Sequence, residues 1–190
     1  PWATPLIPIT AQSEEQTKNV WTSLLRMVDL GDLKTDVDAG LTRIYLPNGG
    51  EISPVTSSSR SRQGALATFA VQDETQSWFK TNGGWALANT QYRSLAGMGG
   101  RFLQTWNAWD PNEDSVEKAT WEKGVGVYKM MAESGPGSIR NKAERMKCLR
   151  RVYAGAPWAD LELISSLIDD LLERGEYAEA ERYFLNRIVP

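Results

Sequence analysis

A chain of 190 residues, 41% hydrophobic and 24% charged with a net charge of −3, is long enough for one sizeable core and has the balance of an ordinary soluble globular protein. That charge excludes an overall basic field, so any nucleic-acid contact has to come from a local patch. The lack of histidine excludes Ser-His and Cys-His nucleophile pairs and histidine metal sites, and the single Cys148 excludes an internal disulfide framework and fits a reducing compartment.

No apolar run approaches the length of a membrane span, no secretory signal precedes the first polar segment, and a start at Pro1 rather than Met reads as a trimmed or processed product. Residues 5–11, PLIPITA, predict a short strand. A helix over 14–29 follows, with Ser13 as N-cap, Glu14 and Glu15 in the first turn, apolar Val20, Leu24 and Val28 at four-residue spacing, and a stop at Gly31. TRIYL, the turn PNGG and EISPV predict a hairpin, and 56–64, TSSSRSRQG, a polar basic loop. A strand over 65–72 comes next. After Gly83-Gly84, WALANTQYRSLAGMGG predicts a helix with a glycine stop, and RFLQTWNAWDP, 101–111, a further strand. A helix from about 113 is expected to continue through two glycines toward Met131. SGPG, 134–137, reads as a linker, followed by three amphipathic helices over 139–153, 160–174 and 176–188.

Strands alternating with helices predict an α/β sheet with a helical appendage at the C-terminus. In such a sheet, ligands bind at the carboxyl ends of the strands. The strand ending FAVQ runs straight into Asp73 and Glu74, which delivers two carboxylates to that crevice pointing different ways, because successive strand residues alternate. One acid can then hold a metal ion while the other orients a water, as in P-loop ATPases. The plainer alternative is a strand-to-helix turn capped by the two acids.

The order of segments resembles the ATPase domain of tailed-phage terminase large subunits. ITAQSEEQTKNVW is similar to that family's strand-then-helix segment with its Ala-x-Ser-x-x-Gln pattern. IYLPNGGEISPVTSSSRSRQG resembles the hairpin and basic loop, FAVQDETQSW the Walker B segment, and GGRFLQTWNAWDPNEDSVEKA the coupling strand and following helix. YAGAPWADLELISSLID with ERYFLNRIV resembles the end of the domain, where Phe-Leu-Asn is usual. The departure is a G-x-x-x-x-G-K-S/T loop, which supplies backbone amides, a lysine and a hydroxyl to phosphates and has no match in this sequence. The expectation is therefore an interior fragment of a motor: a P-loop NTPase-like three-layer α/β core over 1–133, incomplete at its N-terminus and without the phosphate loop, a C-terminal helical part over 139–190, and no nuclease domain.

The resemblance implies ATP and Mg²⁺ as cofactors, with Asp73 holding the metal and Glu74 as the catalytic carboxylate. It implies Arg62, or else Arg60, as the arginine that reaches a neighbouring subunit's γ-phosphate, and Thr105 and Asn107 as polar sensors of that phosphate. Implied partners are double-stranded DNA, a small terminase subunit, the portal protein and copies of the chain in a ring, in the host cytoplasm and without a membrane. The competing expectations are a non-catalytic prophage remnant or interaction scaffold and, behind it, a two-metal carboxylate nuclease. DVDAG, 36–40, starts like a calcium loop but lacks its later ligands, and TSSSRS has no base partner, so both read as loops. The cluster Arg140, Lys142, Arg145, Lys147, Arg150 and Arg151 spreads round a helix and reads as a solvated face.

Overall fold

The computed structural model describes residues 4–56 and 66–190, so Arg60 and Arg62 lie outside the described residues. The chain forms two compact units. One holds the residues up to Trp106 with Ser115–Glu117, and the other holds Asn107–Asp114 with Lys118–Pro190.

In the first unit the elements follow in order β1 (Leu6–Ala11), α1 (Glu14–Leu30), β2 (Asp38–Ala39), β3 (Ile44–Tyr45), β4 (Glu51–Thr56), β5 (Phe69–Gln72), α2 (Gly84–Met98) and β6 (Arg101–Gln104). The six strands make one sheet in the order β2-β3-β4-β1-β5-β6. β1 lies parallel to β4 and β5, and β5 is parallel to β6, whereas the β2–β3–β4 edge is antiparallel. Neighbouring residues of β1 look to opposite sides. Ile9 packs with Trp21 and Val28 of α1, while the next residue, Thr10, accepts a hydrogen bond from Gln91 of α2. β5 repeats the pattern, with Val71 toward the α1 cluster and Ala70 and Gln72 toward α2. Parity thus puts α1 on one face and α2 on the other, a helix–sheet–helix sandwich with mainly parallel strands at its centre.

Local chemistry fixes the ends of both helices. Ser13 and Gln16 form a capping box at the start of α1. α2 ends on Gly99 in the left-handed conformation, φ 63°, whose N–H closes onto Leu95 and Ala96, a geometry that suits glycine.

The second unit carries the last three helices, α4 (Lys142–Val152), α5 (Leu161–Glu173) and α6 (Tyr177–Leu185), capped at their starts by Asn141, Asp160 and Glu176, the first two through side-chain hydrogen bonds. Their apolar stripes meet in a core of Met146, Leu149, Ile168, Leu171, Ala180 and Leu185. In the Phe184-Leu185-Asn186 run, Leu185 is buried in this core and Asn186 turns left-handed to end α6, donating to the carbonyl of Ala132. α3 (Val116–Lys123) begins in the first unit and continues in the second.

Several expected elements are shorter than their sequence pattern. The strand expected over 101–111 stops at Gln104, because its ladder partner β5 ends at Gln72, the residue opposite. Of the strand expected over 65–72, the described residues from 66 onward are regular only from Phe69, where β6 begins to pair with it. The helix expected to run toward Met131 ends at Lys123. The N–H of Gly124 closes on Thr120, and left-handed Gly126 follows. Within DVDAG, Asp38 and Ala39 form the edge strand β2 instead of a loop. The cationic helix is not solvated all round either. Arg145 is 1% exposed and reaches the Ser165 hydroxyl, the Ile139 carbonyl and the Asp169 carboxylate.

Candidate active site

At the carboxyl end of β5 the chain leaves the sheet through Asp73 and Glu74. The N–H of Asp73 still bonds the Thr10 carbonyl of β1 at 2.7 Å, so this residue remains anchored to the ladder. Its carboxylate accepts a hydrogen bond from the Thr105 hydroxyl at the end of the neighbouring strand β6. The backbone N–H of Thr105 in turn bonds the Gln72 carbonyl, and that of Thr75 bonds the Thr105 carbonyl. Asp73 and Thr105, expected separately from sequence, are therefore brought together at adjacent strand ends.

Glu74 adopts φ 53°, ψ 47°, one of two non-glycine residues with positive φ among those described. The left-handed region costs an L-residue about 1–2 kcal/mol, so other contacts must hold the peptide there. The Ser77 N–H and hydroxyl both donate to the Glu74 carbonyl, at 3.0 and 2.8 Å. The Trp78 indole N–H donates to the Asp73 carbonyl at 3.1 Å, with the ring fully buried. The Thr75 hydroxyl donates to the buried Glu117 carboxylate at 2.6 Å. The turn after the acids is thus fastened on both sides of the strained residue.

The carboxylate of Glu74 points toward the start of α1, where the side-chain amide of Gln16 donates to Oε2 at 2.9 Å. Partial burial pushes the Glu74 carboxyl above its ordinary value of 4.5, and the neighbouring Asp73 charge adds to the rise, while the Gln16 hydrogen bond opposes it. A carboxylate raised by burial and by a like charge, aimed into the crevice at a strand end, suits proton abstraction from water.

Beneath the acids runs a chain of neutral amides. Gln104 donates to Gln72, Gln72 to Gln91, and Gln91 to the Thr10 hydroxyl, at 2.8, 2.7 and 2.6 Å. Gln72 and Thr10 are fully buried. This chain ties β1, β5, β6 and α2 together one residue before Asp73 and one before Thr105. Sequence reasoning passed over it, although Gln72 and Gln104 stand at buried-face positions of strands where an apolar residue is the norm. Gln16 is the glutamine of the Ala-x-Ser-x-x-Gln pattern, yet sequence reasoning gave it no role at the site; its local signal is the Ser13-x-x-Gln16 capping box.

Asn107 belongs to the second unit, where it lines a cleft of about 400 Å³ with Leu167, Asp170, Arg174, Glu179 and Tyr183. Arg60 and Arg62 fall outside the described residues. Among the described residues no cluster of three acidic or thiol side chains could by itself enclose a metal ion. A Mg²⁺ ion bound alongside a nucleotide takes one or two protein carboxylates and fills its octahedron with phosphate and water oxygens, a requirement that Asp73 can meet.

No protein-family model matches the chain. It is 34% identical over 125 residues to the gene 13 protein of Mycobacterium phage L5, a match covering 62% of this chain and 21% of that protein. To the gene 13 protein of Mycobacterium phage D29 it is 38% identical over 122 residues, covering 60% and 20%. The chain thus spans about a fifth of the length of the curated relatives it matches. Among solved structures, the large terminase of bacteriophage HK97 superposes on 97% of this chain with a TM-score of 0.75 at 15% sequence identity, using 40% of that terminase. The mixed α/β fold is therefore that of the matched part of a phage large terminase, as the segment order led us to expect.

Proposed function

We propose that this chain is the ATP-hydrolysing part of a phage terminase large subunit, a motor that drives double-stranded DNA into a procapsid. The observation that carries the reading is the pair Asp73–Glu74 at the carboxyl end of a central parallel strand, one carboxylate held by Thr105 of the next strand and the other by Gln16, on a fold shared with the HK97 large terminase. Residues 1–133 are the ATPase core and 139–190 its helical part.

In this reading Asp73 would hold Mg²⁺, while Thr105 fixes the rotation of the Asp73 carboxylate. The ion, when bound with the nucleotide, neutralises charge on the phosphate oxygens. Glu74 orients and polarises the attacking water; such positioned base chemistry is worth about 10²–10⁴ in rate. Thr105 senses the γ-phosphate, and Arg62 or Arg60 reaches across to a neighbouring copy in a ring. Such an arginine can contribute about 10³–10⁵ in turnover. The small terminase subunit, the portal protein and DNA are the partners, in the host cytoplasm.

The test is Glu74→Gln in the longer phage protein of which such a chain forms a part, assayed for ATP turnover and nucleotide binding. Turnover is expected to fall at least about 100-fold with nucleotide affinity retained. Unchanged turnover would refute the assignment of Glu74 and leave a non-catalytic scaffold as the better reading.

A further inference from the structure

The amide of Gln16 is held at both ends. Its Oε1 accepts from the backbone N–H of Ser13 and from the Ser13 hydroxyl, each at 3.2 Å, while its Nε2 donates to Glu74 Oε2 at 2.9 Å. The Gln16 backbone N–H returns a bond to the Ser13 hydroxyl at 3.2 Å, completing the capping box. A backbone N–H can only donate, so the oxygen end of the amide must face Ser13 and the NH₂ end must face Glu74. The cap thereby sets the orientation of a donor that lies 58 residues away in sequence from the carboxylate it serves.

Either glutamine or glutamate satisfies a capping box at this position, because both offer an oxygen to the N-cap amide. They are not equivalent here. A glutamate at residue 16 would turn a second carboxylate onto Glu74, which already stands beside Asp73. Cap chemistry alone does not choose between the two residues, and the bond to Glu74 does.

We propose that Gln16 is the positioning residue of Glu74, its side-chain amide holding that carboxylate in one orientation. The proposal rests on the hydrolytic role of Glu74 given above, and Gln16 acts through that group.

Two substitutions separate the cap from the donor. Ser13→Ala removes the hydroxyl of the cap but leaves Gln16 facing Glu74. Gln16→Glu keeps an oxygen for the Ser13 N–H and replaces the donor by a carboxylate. The Gln16 side-chain amide, assigned by its loss in Gln16→Leu, is followed by ¹H–¹⁵N NMR in this 190-residue chain. Its resonances are expected to move in Glu74→Gln, which replaces the accepting carboxylate, and to stay near their wild-type positions in Ser13→Ala, which should only melt earlier. In the longer protein, kcat is expected to fall at least about tenfold in Gln16→Glu with KM for ATP unchanged, and to stay near wild type in Ser13→Ala. A Gln16 amide indifferent to Glu74→Gln would overturn the contact itself. An unmoved kcat in Gln16→Glu, or equal falls in the two variants, would overturn the positioning role. Retained turnover in Glu74→Gln would instead bring down the hydrolytic reading on which the proposal stands, while leaving the measured Gln16–Glu74 coupling intact.

Discussion

The amide chain beneath the acids should make Gln91→Leu costly out of proportion to its similar size. Gln91 is 6% exposed and makes two side-chain bonds, accepting from Gln72 and donating to Thr10, both fully buried. Replacing Gln91 leaves each of those groups short of a partner in a site without water contact, at about 1–3 kcal/mol apiece. The new leucine side chain recovers about 1.5–3 kcal/mol of transfer energy. The balance is a net loss of about 2 kcal/mol, which for a chain of this length lowers Tm by roughly 4–8 °C. Urea denaturation followed by tryptophan fluorescence reads the change as a lower midpoint at constant slope, with the buried Trp78 reporting from the same unit. Removing both ends of one bond should be cheaper than the sum of the single losses, so Gln72→Leu/Gln91→Leu should show a coupling of about 0.5–3 kcal/mol. A Gln91→Leu protein within about 0.5 kcal/mol of wild type, or strictly additive losses, would refute the view that this chain of amides fixes the strand ends.

Two further outcomes follow from the geometry. Glu74 binds its proton more tightly in the folded chain than in the unfolded one, so its contribution to stability is present below the unfolded value of 4.5 and is lost as pH rises through the raised folded value. Wild type should therefore lose stability relative to Glu74→Gln as pH rises from about 4 to 7; thermal melts in dilute buffer that keep a constant difference would contradict this. A methyl group added at Gly84 would sit 2.6 Å from Cα and Cβ of Trp78, so Gly84→Ala should cost about 1–3 kcal/mol and disturb the turn that carries the acids. Gly97→Ala, in the same helix with nothing within 4 Å, should instead gain up to about 1 kcal/mol. Thermal melts of the two variants side by side check both.

What sequence shows well is whatever local chemistry decides. α1 was expected over 14–29 with Ser13 as its cap and is found at Glu14–Leu30 on that cap, and the helix expected over 160–174 is found at Leu161–Glu173 with Asp160 as its cap. Elements set by a distant partner were harder to read. β6 ends at Gln104 because β5 ends opposite it, a fact that no residue of RFLQTWNAW announces. The two acids were visible as an apolar strand running into carboxylates, but the left-handed turn at Glu74 was not, since a glutamate carries no sign of that conformation. The contacts that sustain it come from Ser77, Trp78, Thr75 and Glu117. Gln16 stood in plain view within a capping pattern. Its second bond spans 58 positions, and only folding brings it to light.

Among the described residues, every group that grips the two carboxylates is uncharged: a threonine hydroxyl and a glutamine amide on the side chains, with a serine and an indole on the peptide behind them. Neutral donors fix geometry without cancelling charge. Added salt should accordingly leave these contacts unchanged, since the described residues that hold the two carboxylates are neutral and offer no charge to be screened. The attraction of the crevice for a divalent cation should respond in the opposite manner and weaken steeply as ionic strength rises. Placement and charge are thus set by separate groups, so that the negative potential stays available to whatever cation arrives.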